Sequence, residues 1–275
     1  MVQQLIINQT KTILKQHLAM NKSLLSISLL CLGASKVQAQ DIVNFQSLDT
    51  SLYVFDKNRI DPERTISPVV EAWGDYSFGD MYVYGIWQNS LESDYQGDDS
   101  TYYYKFVPRL SLGKNINKDI SKGIFKDASA ALWVSKTKGY DFTYMPGIAL
   151  DWNVPGFMWL RTIYYFEHNP GKGWDDQRLH IDYGYPFSTK IGDFRIVGTY
   201  DQTFGKGDNP TMIDFKPEIH YDLGKALGNK PGHLWVGAVI NPTKNKYKIE
   251  DSPYFRTNQS NYGLMVRYSF SYSKW

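Results

Sequence analysis

The 275-residue chain is nearly neutral, with 30 Lys and Arg against 28 Asp and Glu and a formal net charge of +2 at pH 7. Residues 1–39 hold four of the lysines and no acid, so the rest of the chain has 26 basic and 28 acidic residues, a net charge of −2. This balance offers no basic surface for nucleic acid. The single cysteine, Cys31, also lies in the first segment, so no disulfide framework is expected beyond it.

The first element in chain order has the pattern of a secretion signal. Lys22 precedes an apolar stretch over 24–33, and Val37-Gln38-Ala39 then fits the small-x-small rule of signal peptidase. We therefore predict a signal peptide over residues 1–39, cleaved after Ala39, and a single domain over residues 40–275.

The start of this signal leaves two alternatives open. Residues 1–19 are either an extended charged region or an upstream extension of the true chain, and we favour Met20 as the start. The apolar stretch at 24–33 is too short for a permanent membrane-spanning helix, and no later segment is long enough either.

The remainder alternates with a period of two. Between Tyr102 and Leu112, even positions carry Tyr, Tyr, Phe, Pro, Leu and Leu, whereas odd positions carry Tyr, Lys, Val, Arg and Ser. Such a period sends the two sets to opposite faces of a strand. One face is rich in aromatic and apolar side chains and the other is charged. After a secretion signal, this pattern predicts an outer-membrane barrel with its apolar face toward lipid and its polar face toward the lumen.

Twelve segments of this kind follow one another, each of a length that a tilted transmembrane strand requires. An even number with both termini in the periplasm is the rule for bacterial barrels. The fold class predicted is therefore all-β, a single antiparallel 12-stranded transmembrane β-barrel. The predicted strands are 44–55, 66–76, 80–90, 101–113, 127–138, 141–151, 157–168, 177–187, 192–204, 212–222, 233–243 and 262–272.

The connections between these strands differ in length. Short ones, at 78–79, 153–156 and 188–191, are placed in the periplasm, and the long polar ones at 91–100 and 244–261 are placed outside the cell. Other connections blur this scheme, because 114–126 and 223–232 are long for the periplasm and Gly139-Tyr140 is short for the outside.

The last strand has the clearest alternation. Tyr262, Leu264, Val266, Tyr268, Phe270 and Tyr272 share one face, and Gly263, Met265, Arg267, Ser269 and Ser271 share the other. A final strand ending in aromatic residues is typical of proteins recognised by the outer-membrane assembly machinery. We therefore expect that machinery, outer-membrane lipids and lipopolysaccharide as partners, in a Gram-negative cell.

Several short motifs resemble the Tsx/OmpK family of nucleoside-specific, channel-forming outer-membrane proteins. They occur in order over most of residues 44–272: Val70-Glu71-Ala72-Trp73, the segments 79–85, 107–112 and 123–127, Gly173-Trp174-Asp175 and Tyr185-Pro186-Phe187. The resemblance implies a monomeric barrel whose narrow passage admits small neutral solutes such as nucleosides. It also implies an aromatic contact near Phe55, at the outer end of the first strand.

Strand parity and this resemblance together select candidate solute-binding residues on the lumen face. Aromatic rings can stack on a flat base, and acids and arginines can hydrogen-bond to sugar hydroxyls. Two alternatives stay open: the charged residues pair to brace neighbouring strands, and the aromatic residues fill the lumen. The candidates are Phe55, Glu71, Trp73, Tyr103, Arg109, Arg161, Arg178, His180, Asp182 and Asp201.

Five tyrosines are predicted on the lipid face as girdle residues, namely Tyr82, Tyr84, Tyr164, Tyr183 and Tyr268. No Ser-His arrangement, zinc motif or phosphate loop stands out, so we expect no enzymatic activity, no metal and no cofactor. A structural, adhesion or phage-receptor barrel with a plugged lumen remains the main alternative to a channel, and a lipid-modifying enzyme a weaker one. Asp98-Asp99 and Glu250-Asp251 could hold Ca²⁺ but fit solvated loops better.

Overall fold

A computed structural model describes residues 42–92, 99–169, 173–205 and 209–273, and the predicted signal peptide lies outside them. The twelve predicted strands are all present. The chain forms β1 Val43–Asp56, β2 Thr65–Tyr76, β3 Gly79–Ser90, β4 Ser100–Ser111, β5 Phe125–Thr137, β6 Thr143–Trp152, β7 Trp159–Asn169, β8 Gly173–Thr189, β9 Gly192–Thr203, β10 Met212–Asp222, β11 Leu234–Lys244 and β12 Gln259–Ser273.

The strands form one closed antiparallel barrel in which each pairs with its neighbours in sequence. The first and last strands close it, in a register that runs from Phe45 opposite Ser273 to Asp56 opposite Tyr262. Closure leaves no strand edge with unpaired backbone groups, which a barrel in lipid requires. The predicted fold class is therefore confirmed.

Two of the longer connections contain short helical turns that the strand pattern did not predict. We expected β4 to run to residue 113, but it ends at Ser111, whose hydroxyl accepts a hydrogen bond from the Lys114 N–H at 3.0 Å. This bond caps α1 (Leu112–Asn115). Asp222 caps α2 (Leu223–Ala226) in the same way, with 2.9 Å to the Lys225 N–H. No helix among the described residues is long and apolar enough to cross a membrane.

For convenience, the end of the barrel that carries α1 and α2 is called the turn end, and the opposite end the loop end. The connection from β11 to β12, residues 245–258, lies at the loop end and contains one turn of 3₁₀ helix, η1 (Lys246–Lys248).

The two faces of β12 follow the predicted parity. Leu264 and Phe270 are 69% and 51% exposed on the outside, whereas Met265 and Arg267 are buried on the inside. The outer surface of an isolated barrel is accessible to water, and in a membrane the same surface would contact lipid. Its apolar side chains therefore fit a bilayer environment.

The prediction for Tyr82 and Tyr84 is wrong, because both face the lumen. They pair directly with Trp73 and Glu71 of β2, and residues directly opposite in a ladder share a face. The Tyr82 hydroxyl donates to Glu71 at 2.5 Å. β3 carries large apolar or aromatic side chains on both faces, so its sequence does not show which face is the lumen face. Only its pairing with β2 determines this. In contrast, Tyr164 and Tyr268 are exposed on the outside, as predicted.

Candidate functional site: the barrel lumen

Two groups of packed side chains narrow the lumen from opposite walls. The Trp133 cluster belongs to β4–β7, and Tyr82 and Tyr103 pack against it. The Tyr53 cluster belongs to β1, β2, β11 and β12, with Tyr84 and Ile86 against it. Because these side chains are almost fully buried, they fill much of the interior. The members are Val107, Ala131, Trp133, Met145, Ala149, Ile163 and Tyr165 in the first cluster, and Tyr53, Phe55, Val69, Trp235, Val239 and Met265 in the second.

Arg109, Arg161 and Asp182 come together in one ion-pair network near the turn end. Arg109, only 3% exposed, pairs with Asp80 through both Nε and Nη2 and with Asp151 at 2.9 Å. Arg161 pairs with the same Asp151 at 2.9 Å and reaches Asp182 at 3.5 Å. A carboxylate shared by two guanidinium groups links β4, β6 and β7. For Arg109, Arg161 and Asp182, this arrangement agrees with the alternative that charged lumen residues form ion pairs that brace neighbouring strands.

A second network crosses the interior around Arg267. Its guanidinium donates to the hydroxyls of Ser51 at 2.9 Å and Tyr53 at 3.0 Å and to the Glu71 carboxylate at 2.6 Å. The Tyr53 hydroxyl in turn donates to Glu218 of β10 at 2.9 Å. Of these residues only Glu71 was among the candidates, because alternation predicts the face of a residue but not its partner across the lumen.

The remaining charged candidates lie along β8 and β9, toward the loop end. Arg178 pairs with Glu167 at 3.0 Å. His180 Nδ1 is 2.9 Å from an Asp201 oxygen, and the His180 ring packs edge-on against Trp133 at 5.6 Å between centroids. Arg178, His180 and Asp201 therefore form one wall of the lumen, as the strand register also requires.

The aromatic candidates are spread along the barrel rather than gathered in one site. Phe55 stacks on Tyr53 at 5.5 Å near the loop end, and Trp73 contacts Phe45 at 5.5 Å near the turn end. Tyr103 lies between them in height, 6.2 Å from Tyr84. A flat solute moving through the lumen would meet these rings one after another.

Several ring faces are already occupied by cations of the protein. Lys105 Nζ lies 4.1 Å from the ring centre of Trp133, and the Arg195 guanidinium lies 4.0 Å from that of Trp235. Lys216 Nζ is 4.8 Å from the Tyr53 ring. Cation–π contacts of this kind stabilise buried positive charge but cover the face that a base would use. Trp133, which the sequence analysis did not select, is therefore a packing residue first.

Some charged side chains remain within reach of water. The side chains of Lys216, Asp182 and Asp201 are 24%, 19% and 16% exposed although all three point inward. Four polar atoms nearby are buried and have no hydrogen-bond partner, namely Trp133 Nε1, Tyr165 OH, Arg178 Nε and Thr203 Oγ1. This part of the lumen wall therefore carries both water-accessible charged groups and buried polar groups.

Of the acidic loop residues considered for Ca²⁺, Asp251 has a structural role. Asp251 accepts the backbone N–H groups of Thr257 at 2.6 Å and Asn258 at 2.8 Å and pairs with Arg256 at 3.2 Å. Within the described residues no group of three or more His, Cys, Asp or Glu could hold a metal ion. Asp98 lies outside the described residues.

Fold and lumen together define a closed membrane-type β-barrel with an apolar outside and a polar, partly filled inside. Comparison with models of known protein families gave no match, and neither did comparison with curated protein sequences.

Solved barrels are similar to the chain at low identity. OccAB3 of Acinetobacter baumannii is 8% identical with a TM-score of 0.42, over 83% of this chain and 99% of that one. OccK11 (OpdR) of Pseudomonas aeruginosa is 8% identical with a TM-score of 0.41, over 83% and 96%. The outer membrane protein Omp33 of A. baumannii is 11% identical with a TM-score of 0.36, over 84% and 100%.

Proposed function

We propose that the protein is an outer-membrane channel for the passive uptake of small solutes, with nucleosides as the preferred class. The main support for the proposal is that the same strands carry an apolar outer surface and a polar inner surface. The outside carries exposed apolar side chains such as Leu264 and Ile148, and the inside carries water-accessible charged groups such as Lys216 and Asp201. An apolar exterior around a polar interior is the arrangement that allows polar solutes to cross lipid.

The preference for nucleosides rests on the chemistry of the lumen and on the sequence resemblance to the Tsx/OmpK family. Trp73 and Tyr103 offer ring faces at different heights, and Asp182 and Asp201 offer acceptors for hydroxyl groups. A series of weak contacts lets a solute bind and move on without being trapped. Because several lumen arginines are paired with carboxylates, the lumen presents little unpaired positive charge, which suits a neutral solute better than an anion.

The membrane and assembly partners follow from the same surfaces. Lipid acyl chains and lipopolysaccharide would surround the apolar outside, and the outer-membrane assembly machinery would recognise the aromatic face of β12. We propose a monomer, as the resemblance to the Tsx/OmpK family implies. The proposal includes no reaction and no cofactor.

Uptake into liposomes tests this function. Purified protein in liposomes should admit adenosine and thymidine faster than glucose or amino acids of similar size. Trp73→Ala should lower nucleoside uptake, while Trp87→Ala is the matched control, because Trp87 pairs with Tyr102 on the outer face. Uptake that follows solute size alone would reduce the function to a general pore.

A plugged structural barrel is the second candidate. It is favoured by the burial of Tyr53, Met145, Tyr165 and His220, each of which is almost inaccessible although it faces the lumen. Absence of uptake for every solute tested would support this alternative over a channel.

A further inference from the structure

We propose that residues 245–258, here called the strap, form the constriction that sets the size limit of the channel, and that Lys248 pins the strap across the loop-end mouth. This inference rests on the proposed channel function. It makes Lys248 a residue that determines the size limit of the channel. The sequence pattern alone identifies its loop only as long and polar.

The strap reaches opposite sides of the barrel within three residues. Lys246 Nζ contacts Asp61, in the connection from β1 to β2, at 2.5 Å, and the Tyr247 hydroxyl donates to the same carboxylate at 2.7 Å. Lys248 Nζ instead contacts Glu167 of β7 at 2.9 Å and Asp176 of β8 at 2.5 Å.

In a ring of twelve strands, β7 lies diametrically opposite β1. Two residues separated by one position span at most about 7 Å of backbone. Because η1 contacts both the β1–β2 connection, through Asp61, and the facing wall, through Glu167 and Asp176, we place it across the loop-end mouth. Any solute that enters at the loop end must pass beside these three residues.

The backbone of the strap is held in an uncommon conformation. Asn245, Tyr247 and Lys248 have φ values of 50°, 60° and 59°, in the left-handed region that residues other than glycine rarely adopt. Conformations of this kind persist where the surrounding contacts determine them and often mark functional segments. Here the cross-mouth contacts of Lys246 and Lys248 supply that determination.

The strap is also folded within itself. The Asn245 N–H donates to the Asn258 side-chain oxygen at 2.9 Å, and the Asn245 amide donates to the Thr211 carbonyl at 2.9 Å. Thr257 is fully buried and donates through its hydroxyl to the Ile249 carbonyl at 2.8 Å. These bonds make the strap a defined structure rather than a loose loop.

The two acidic partners of Lys248 are buried, which favours a stable ion pair with its ammonium group. The side chain of Asp176 is 0% exposed and that of Glu167 is 4% exposed. Glu167 has a second cation in Arg178, but the only basic partner of Asp176 among the described residues is Lys248. A buried carboxylate without a partner is costly, so Asp176 retains the ammonium group at the mouth.

Channel recordings and swelling assays on the full-length protein test the proposal with a charge-matched design. Lys248→Met removes the pin, and the double variant Lys248→Met with Asp176→Asn also removes the buried charge that would otherwise be stranded. Lys57→Met is the control, since Lys57 forms an exposed pair with Glu63 at 3.3 Å on another loop of the same end.

We expect both Lys248 variants to raise single-channel conductance at least about twofold and to admit disaccharides that the unaltered protein rejects, because the mouth widens. The control should change neither. Folding of each variant is verified by the heat-dependent mobility of closed barrels on gels.

The outcomes separate this proposal from the channel function. Conducting protein whose conductance and size limit stay unchanged in both folded Lys248 variants would overturn the strap and leave the channel in place. If the unaltered protein does not conduct but the Lys248 variants do, the result would support the strap and contradict open passive uptake. Silence in all variants would overturn both.

Discussion

The inner and outer faces of β12 show how differently the two surfaces of this barrel are held. On the outside, Leu264 and Val266 are exposed side chains that need only an apolar environment. On the inside, Met265 lies in the Tyr53 cluster, and Arg267 has three specific partners. The outer face therefore requires only that its side chains be apolar. The inner face requires particular side chains that fit particular partners. Substitutions on adjacent residues should reveal this difference.

The largest effect is expected from the inner face. Arg267→Met leaves Glu71 without its cation and Tyr53 without a donor, so we expect a loss of about 3–5 kcal/mol in the free energy of unfolding. Urea unfolding in lipid vesicles measures this loss. The double variant Arg267→Met with Glu71→Gln removes both charges and should recover part of it. A single variant as stable as the unaltered protein would contradict the assigned network.

The outer face should respond to charge instead. Leu264→Arg is expected to cost about 2–4 kcal/mol if the residue lies near the bilayer midplane, because a cation would then face lipid. Leu264→Phe, which keeps the side chain apolar, should cost little. The same unfolding measurement in vesicles compares the two. Equal stability of both variants would show that this face of β12 does not contact lipid.

The sequence predicts the face of most residues but not how the inner face is filled. The alternation in β12 predicts that Met265 faces a watery lumen and should tolerate arginine. In the structure Met265 is only 4% exposed within the Tyr53 cluster, so Met265→Arg should be costly as well. Alternation is a local property, whereas the approach of Tyr53 to Glu218, 165 residues apart, depends on closure of the whole barrel.

Two further predictions differ from the structure for the same reason, because the outcome depends on contacts between distant parts of the chain. Tyr82 and Tyr84 were predicted on the wrong face because β3 is aromatic or apolar on both sides, and only pairing with β2 decides its parity. The strap was predicted only as a long outer connection. Its position over the mouth depends on Lys248 meeting Asp176, 72 residues away in sequence.

The smallest effect concerns the strap at low pH. Hydrogen bonds from the backbone N–H groups of Asn258 and Thr257 hold the pKa of Asp251 below its usual value of 3.8. A carboxylate with a lowered pKa stabilises the folded state above its unfolded pKa, and the contribution is lost as pH falls through the folded pKa.

We therefore expect the proteolytic sensitivity of the strap to stay constant from neutral pH down to about pH 4 and to rise only below that. Limited digestion with an acid-stable protease measures this. Asp251→Asn should leave a smaller rise in cleavage at low pH than the unaltered protein shows. A rise in cleavage between neutral pH and about pH 5 would contradict the role assigned to Asp251.

The central claim is that this apolar-coated barrel keeps a narrow polar passage that binds solutes in transit. Single-channel recording in a planar bilayer, with adenosine added to the bath, tests it most directly. The account predicts a small, discrete ion current that adenosine reduces in a saturable manner, and a weaker reduction in Trp73→Ala than in Trp87→Ala. A current that adenosine leaves unchanged, or no current from correctly folded protein, would contradict it.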